Sequence, residues 1–149
     1  MARVYVSAVM DIPVAEAWGV LRDFNALPVY NDKLFSKSMI EGGKPSDQIG
    51  CVRDFYTHEG GRIREELLTL SDRDYTCCYK ILEASLPVRN YVAEMRLLPI
   101  TEGNKTFGDW WAEYEVDDKD AAAVFEAVNN TFRFAFEGAV KVANSKRKK

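Results

Sequence analysis

One histidine, three cysteines and a scatter of tyrosines carry most of the reactive chemistry in this sequence. His58 stands in Thr57-His58-Glu59-Gly60-Gly61, a glycine-rich loop tip. With no second histidine to complete a metal site, and nothing around it to support a nucleophilic triad, an exposed loop residue is expected there. Cys77 and Cys78 are adjacent in strand-like sequence, which turns their side chains to opposite faces. Cys51 makes the count odd, and no Cys-x-x-Cys pair exists, so reduced structural cysteines are expected. A glycine-rich phosphate loop, a Gly-x-Ser-x-Gly elbow, an HExxH motif and a calcium loop are all missing. Neither a metal nor another cofactor is expected. Tyr30, Tyr56, Tyr79 and Tyr91 could each offer a hydroxyl to a ligand, or pack in a sheet with the hydroxyl at the surface. Asn129 and Arg133 lie one helical turn apart and could line a pocket or form a solvated edge. Trp110-Trp111 place one indole on each face of a strand.

The elements that must position these groups follow from pattern. Arg3 to Met10 is rich in β-branched and small residues and reads as a first strand. Asp11 is suited to cap a short helix with Pro13 in its first turn, and Val14, Ala17, Trp18 and Leu21 form its apolar face. A second turn is expected from Asp23 to Leu27, ended by Pro28. Strands are expected over 34–41, 50–56, 75–82, 90–98 and 107–116, separated by Gly, Pro, Asn and Asp turns. Arg62 to Leu70 alternates as a strand could, but Glu65-Glu66-Leu67-Leu68 would equally suit a helix. The last segment, Asp120 to about Ser145, is the one long helix. Acidic Asp117-Asp118 suit the positive end of its dipole. Ala121, Phe125, Val128, Phe132, Ala135, Phe136 and Ala139 give it one broad apolar face. Phe134 falls on the outer side.

The 149-residue chain carries 47% hydrophobic and 29% charged residues, a globular composition sized for one domain. Residues 1–145 are expected to form it, with 146–149 (Lys-Arg-Lys-Lys) as a disordered basic tail. A net charge of −3 and the lack of a basic face argue against a nucleic-acid binder. No apolar run reaches the length of a membrane span, and the N-terminus enters strand sequence without signal-peptide architecture. A cytoplasmic protein without membrane insertion is expected.

Several short motifs appear in a particular order: Asp11-Ile12-Pro13 with Trp18, then Arg22-Asp23-Phe24, Phe35-Ser36-Lys37-Ser38 and Ile49-Gly50-Cys51-Val52-Arg53-Asp54. Arg64-Glu65-Glu66-Leu67, Leu86-Pro87-Val88, Asn90-Tyr91, and Trp110 with Tyr114 complete the set. With the element order, they resemble the START and birch-pollen-allergen (Bet v1-like, SRPBCC) superfamily. Within it they are most similar to bacterial polyketide cyclase/dehydrase-like proteins, related to the plant abscisic-acid receptors. The resemblance implies an α+β helix-grip fold: a seven-stranded curved antiparallel sheet around a long C-terminal helix, with two short helices after the first strand. It implies that Arg62 to Leu70 is a strand and that Glu65 points into a cavity. The receptors' gate and latch motifs are replaced here by Thr57-His58-Glu59-Gly60-Gly61 and Leu86-Pro87-Val88, so hormone-gated phosphatase inhibition is not implied.

On this resemblance Lys33 matches a lysine that meets a ligand carboxylate, and Tyr91 matches a pocket tyrosine. Phe35, Phe55, Thr57, Ile81, Leu86, Val88, Trp110, Ala112, Phe125, Asn129 and Arg133 fall at the other pocket positions. A lone buried carboxylate is costly, so Glu65 needs a raised pKa or a partner, which Lys33 or Arg133 could supply. The expected function is binding, or transport, of a small hydrophobic ligand, aromatic or polycyclic. An alternative is a cyclase, dehydrase or isomerase with Glu65 as general acid or base and Tyr91 or Lys33 polarising a carbonyl. A second alternative is a protein-interaction module using Phe134 and Trp111, where a second copy of the chain could also dock as a homodimer.

Overall fold

The computed structural model describes residues 1–148. Seven strands form one antiparallel sheet: β1 (Ala2–Met10), β2 (Phe35–Ile40), β3 (Val52–Thr57), β4 (Arg62–Ser71), β5 (Thr76–Ala84), β6 (Arg89–Ile100) and β7 (Lys105–Glu115). Their order across the sheet is β1-β7-β6-β5-β4-β3-β2, so every neighbouring pair except β1 and β7 is also consecutive in the chain. The sheet wraps α3 (Ala121–Arg147), and the short helices α1 (Val14–Leu21) and α2 (Leu27–Tyr30) link β1 to β2. This is the helix-grip arrangement.

The locally ambiguous segment is β4. It pairs with β3 and β5 on its two sides, and Glu65 and Leu67 are buried on its inner face. Pairing on both edges overrides the helix-favouring Glu-Glu-Leu-Leu run, as sheet context commonly does. Two irregularities in the β4–β5 register, at Arg64/Glu65 and Leu67/Thr69, accompany this compromise. In the β6–β7 register a further irregularity, with Asn90 at φ 51°, separates Arg89 from Val92; the Asn90 amide bonds the Glu115 carboxylate. The β5–β6 ladder ends at Lys80↔Val92, leaving Tyr91 to turn inward beyond it.

Some local expectations are corrected. Asp11 does not cap α1; its N-cap is Pro13, and no side-chain cap bond forms. Pro28 does not end a turn but sits in the first turn of α2. A proline there gives up only an N–H that has no helical acceptor anyway. α3 continues through Lys146 and Arg147, which were expected in a disordered tail. Arg147 Nη2 bonds Glu16 Oε2 at 2.6 Å, tying the helix end to α1. Lys149 lies outside the described residues.

α1 is fastened to the β4–β5 turn by one carboxylate. Asp72 Oδ1 accepts from Trp18 Nε1 and from Arg22 Nε, each at 2.8 Å. On the outer face of β3, Asp54 takes two bonds from Arg62, at 2.9 and 2.6 Å. Hydrogen bonds from these cations hold the Asp54 and Asp72 carboxyls below the ordinary carboxylate range. A depressed native pKa stabilises the fold fully above the unfolded value, about 4, and that stabilisation is lost as pH falls through the native value. Urea midpoints should therefore drop below about pH 4, and Asp54→Asn with Asp72→Asn should flatten that drop. An unchanged acid slope in the double variant would contradict this assignment.

Candidate ligand cavity

The inner face of the sheet is apolar because alternate residues of each strand turn toward α3. Trp110 on β7 lies nearly parallel to Phe132 of α3, with ring centroids 5.0 Å apart, and its Nε1 donates to the Tyr79 hydroxyl at 3.0 Å. Phe35 meets Phe55 edge-on at 5.1 Å. Between these aromatics and the first half of α3 lies a cavity of about 440 Å³, within the range of small-molecule sites. Its mouth is formed by Lys33, the His58–Glu59 loop tip, Ser85 to Pro87, and Ala127, Asn130 and Thr131 of α3.

Its one buried ion pair joins neighbouring strands. Arg53 on β3 stands opposite Glu65 on β4. Its Nε donates to Glu65 Oε1 at 2.8 Å, its Nη2 lies 2.7 Å from the same oxygen, and its Nη1 donates to the Phe24 carbonyl at 3.1 Å. The guanidinium sits 4.0 Å from the Phe24 ring centroid, 4.8 Å from that of Tyr79 and 5.4 Å from that of Phe55. Both residues line the cavity yet are at most 5% exposed. Burial pushes the Glu65 carboxyl above its ordinary range, and Arg53 pulls it back only in part. Burial is the largest influence on Arg53 and works against its charge, but the Glu65 carboxylate together with Tyr30, Tyr79 and Cys77 outweighs it, and the guanidinium is held more firmly cationic. Among the described residues, Glu65 Oε2 has no hydrogen-bond partner. Nor does the hydroxyl of Tyr91, whose ring stacks on Tyr114 at 5.8 Å. Burial raises the Tyr79 and Tyr91 phenols well above their ordinary value.

The family model described as polyketide cyclase / dehydrase and lipid transport matches residues 1–147. The chain belongs to this family. Solved structures similar to this family member include a protein from Nitrosospira multiformis, 24% identical with a TM-score of 0.80, covering 99% of this chain and 100% of that one. XoxI from Bacillus cereus is 20% identical with a TM-score of 0.83, covering 99% of both chains. A protein from Thermobifida fusca is 18% identical with a TM-score of 0.82, covering 97% of this chain and 95% of that one. At these identities the likeness establishes the fold alone. No protein with a curated functional description matches the sequence.

Of the residues expected at the pocket of this polyketide cyclase / dehydrase and lipid transport family member, Lys33, Phe35, Phe55, Thr57, Glu65, Ile81, Leu86, Tyr91 and Trp110 line the cavity. Lys33 lies only at the mouth. Its Nζ is 3.6 Å from Glu137 and 4.7 Å from the Phe134 ring centroid, so it does not pair with Glu65. Val88 lines not the cavity but a neighbouring cleft along β5 and β6, which shares Ile81 and Tyr91 with it. Ala112 is fully buried in the core, and Asn129 is half-buried, both away from the cavity.

The correction is systematic on α3. Phe125 is 49% exposed, and Arg133 is exposed with Nη1 3.5 Å from Asn130 Oδ1. Arg133 lies instead along a groove beside β1, so it neither enters the cavity nor reaches Glu65. Val128, Phe132, Ala135, Phe136 and Ala139 of the expected apolar face are buried, but Val124 is buried in place of Phe125. The cavity, however, takes the flank carrying Ala127 and Thr131, opposite to the flank of Phe125, Asn129 and Arg133.

Arg53 is the principal site residue absent from the expected set. Its signal was available: it lies two residues before Phe55, so a strand period of 2 puts both on the inner face. Tyr79 reaches the cavity too. His58 is exposed as expected, but it also braces the mouth, its Nε2–H donating to the Asp32 carbonyl at 2.6 Å. Burial raises all three thiols, Cys77 to about 12, so none is activated as a nucleophile. Phe134 and Trp111 are half-buried, each with a cation beside its ring, Lys33 and Arg3 respectively. No helix among the described residues is long and apolar enough to cross a membrane.

Proposed function

We propose that this protein binds a small hydrophobic molecule in the cavity between the sheet and α3. The observation that carries the proposal is the cavity itself: about 440 Å³, walled by Phe35, Phe55, Trp110 and Ile81, with a few polar groups gathered around Glu65. Apolar walls supply affinity, and a few convergent polar groups set orientation. The family's description, which joins cyclase/dehydrase chemistry with lipid transport, supports a ligand of this kind.

N-phenyl-1-naphthylamine, a neutral probe that fluoresces in apolar surroundings, tests the proposal. It should bind one per chain, and Ile81→Trp, which fills part of the cavity, should weaken binding at least about tenfold without altering the circular dichroism spectrum. Equal binding by the variant would place the probe elsewhere and sink the cavity as the site.

One observation favours a second reading. A carboxyl with a raised pKa and an unengaged oxygen can act as general acid or base on an enolisable carbonyl of a polyketide-like substrate. Glu65→Gln separates the two. Loss of turnover at unchanged probe affinity marks an enzyme, whereas a change in affinity alone marks a carrier.

A further inference from the structure

We infer that the polar end of the bound molecule is an uncharged hydrogen-bond donor, a hydroxyl or phenol group, and that the cavity disfavours carboxylates. The inference rests on the cavity being the binding site, and it follows from which hydrogen-bonding capacity the deep end of that cavity leaves unused.

Arg53 is the one cation of the deep end, and it is committed. Each of its three nitrogens is engaged: Nε and Nη2 by Glu65 Oε1, Nη1 by the Phe24 carbonyl. Aromatic rings of Phe24, Phe55 and Tyr79 surround the guanidinium. The other cation of the cavity, Lys33, stays at the mouth with its side chain 63% exposed and its ammonium beside Glu137. A carboxylate ligand would therefore shed its water without gaining a free cation, and such burial of an unpaired charge is strongly unfavourable. It would also approach the Glu65 carboxylate, a like charge in a low-dielectric site.

The capacity left open includes an acceptor and an amphoteric group that line the same cavity. Glu65 Oε2 and the Tyr91 hydroxyl both lack hydrogen-bond partners among the described residues, and both residues line the cavity. A ligand hydroxyl held between them would donate to Oε2 and accept from the tyrosine O–H. The Tyr79 hydroxyl already accepts from Trp110 Nε1, which fixes the neighbouring wall. Selectivity of this type comes from the cost of leaving the site's own polar groups unpaired against a ligand that lacks the donor.

A matched series tests it. Naphthalene, 2-naphthol and 2-naphthoate share one apolar body, and their displacement of N-phenyl-1-naphthylamine can be measured at pH 7.5. 2-Naphthol should bind about tenfold or more tighter than naphthalene, with 2-naphthoate the weakest. Replacing the pair together, Arg53→Met with Glu65→Leu, should erase the naphthol advantage while naphthalene still binds. Tyr91→Phe should reduce the advantage and leave the pair intact, which guards against a double variant that fails to fold. Naphthoate binding as tightly as naphthol, or a naphthol advantage that survives in both variants, would overturn the inference. Probe binding by the unaltered protein reports the cavity separately. A wrong ranking with the probe bound refutes only the ligand class, whereas a probe that never binds refutes the cavity reading and the ligand class together.

Discussion

Arg53→Ala is expected to destabilise the protein by about 3–5 kcal/mol, the usual cost of removing one member of a buried ion pair. Three losses coincide. Glu65 keeps its carboxylate at 5% exposure with no partner. The Phe24 carbonyl loses its donor. The space between the Phe24, Phe55 and Tyr79 rings empties. The first loss depends on pH, and its sign is set by Glu65. Without Arg53 the native pKa of Glu65 rises further above the unfolded value, so the penalty is complete above that native pKa. It shrinks as pH falls toward the unfolded value, because the native state then takes up the proton. The deficit against the unaltered protein should narrow on acidification without closing, since the packing loss remains. Adding Glu65→Leu should recover much of the stability at neutral pH, because buried pairs can often be exchanged for apolar groups at little cost. Urea denaturation of the single and double variants between pH 5 and about 8 measures all of this. A single variant within about 1 kcal/mol of the unaltered protein would mean that the pair is solvated and the cavity is wetter than its exposure suggests.

The pair also shows how far the residues alone could lead. Strand alternation carries the inner and outer faces of β3, and Phe55 on the inner face entails Arg53 beside it. Glu65 is harder to place, because Glu65-Glu66-Leu67-Leu68 suits a helix and only pairing with β3 and β5 makes it a strand. Its inward direction came with the family resemblance and not with any local pattern. On α3 the limit is of another kind. A period of 3.6 fixes the stripe of Val128, Phe132 and Phe136, but it is symmetric about that stripe. Which flank faces the cavity depends on how the helix lies across the sheet. That is set by contacts with β1, α1 and α2, far away in sequence, so Ala127 and Thr131 rather than Asn129 and Arg133 reach the cavity. Pro28 has a similar explanation: proline stops one helix and starts another equally well, and only the packing of Leu27 and Tyr30 into the core decides between them.

Gly138→Ala should likewise be destabilising, by about 1–3 kcal/mol or more, although it replaces a glycine in the interior of a helix. On an exposed helix the same change gains roughly 1 kcal/mol, because alanine loses less conformational freedom on folding. Here a Cβ would stand 1.6 Å from the Tyr30 carbonyl oxygen and 2.6 Å from its carbon, both backbone atoms that no rotamer change can clear. α2 and α3 would have to separate. Their contact includes the Asn31 Nδ2 bond to the Thr131 carbonyl at 2.9 Å, and Leu27 and Thr131 both line the cavity. Separation would therefore loosen the cavity as well as the fold, so probe affinity should fall together with Tm. Gly19 in α1 is the internal control. It is also helical, and nothing lies within 4 Å of the Cβ that alanine would add. Gly19→Ala should be neutral or stabilising by up to about 1 kcal/mol. Thermal denaturation of the two variants should thus give shifts of opposite sign from one substitution. If Gly138→Ala instead matched Gly19→Ala, α2 would have to yield freely. The close seat of the helix on Tyr30 could then not be what holds the cavity's α3 wall in register.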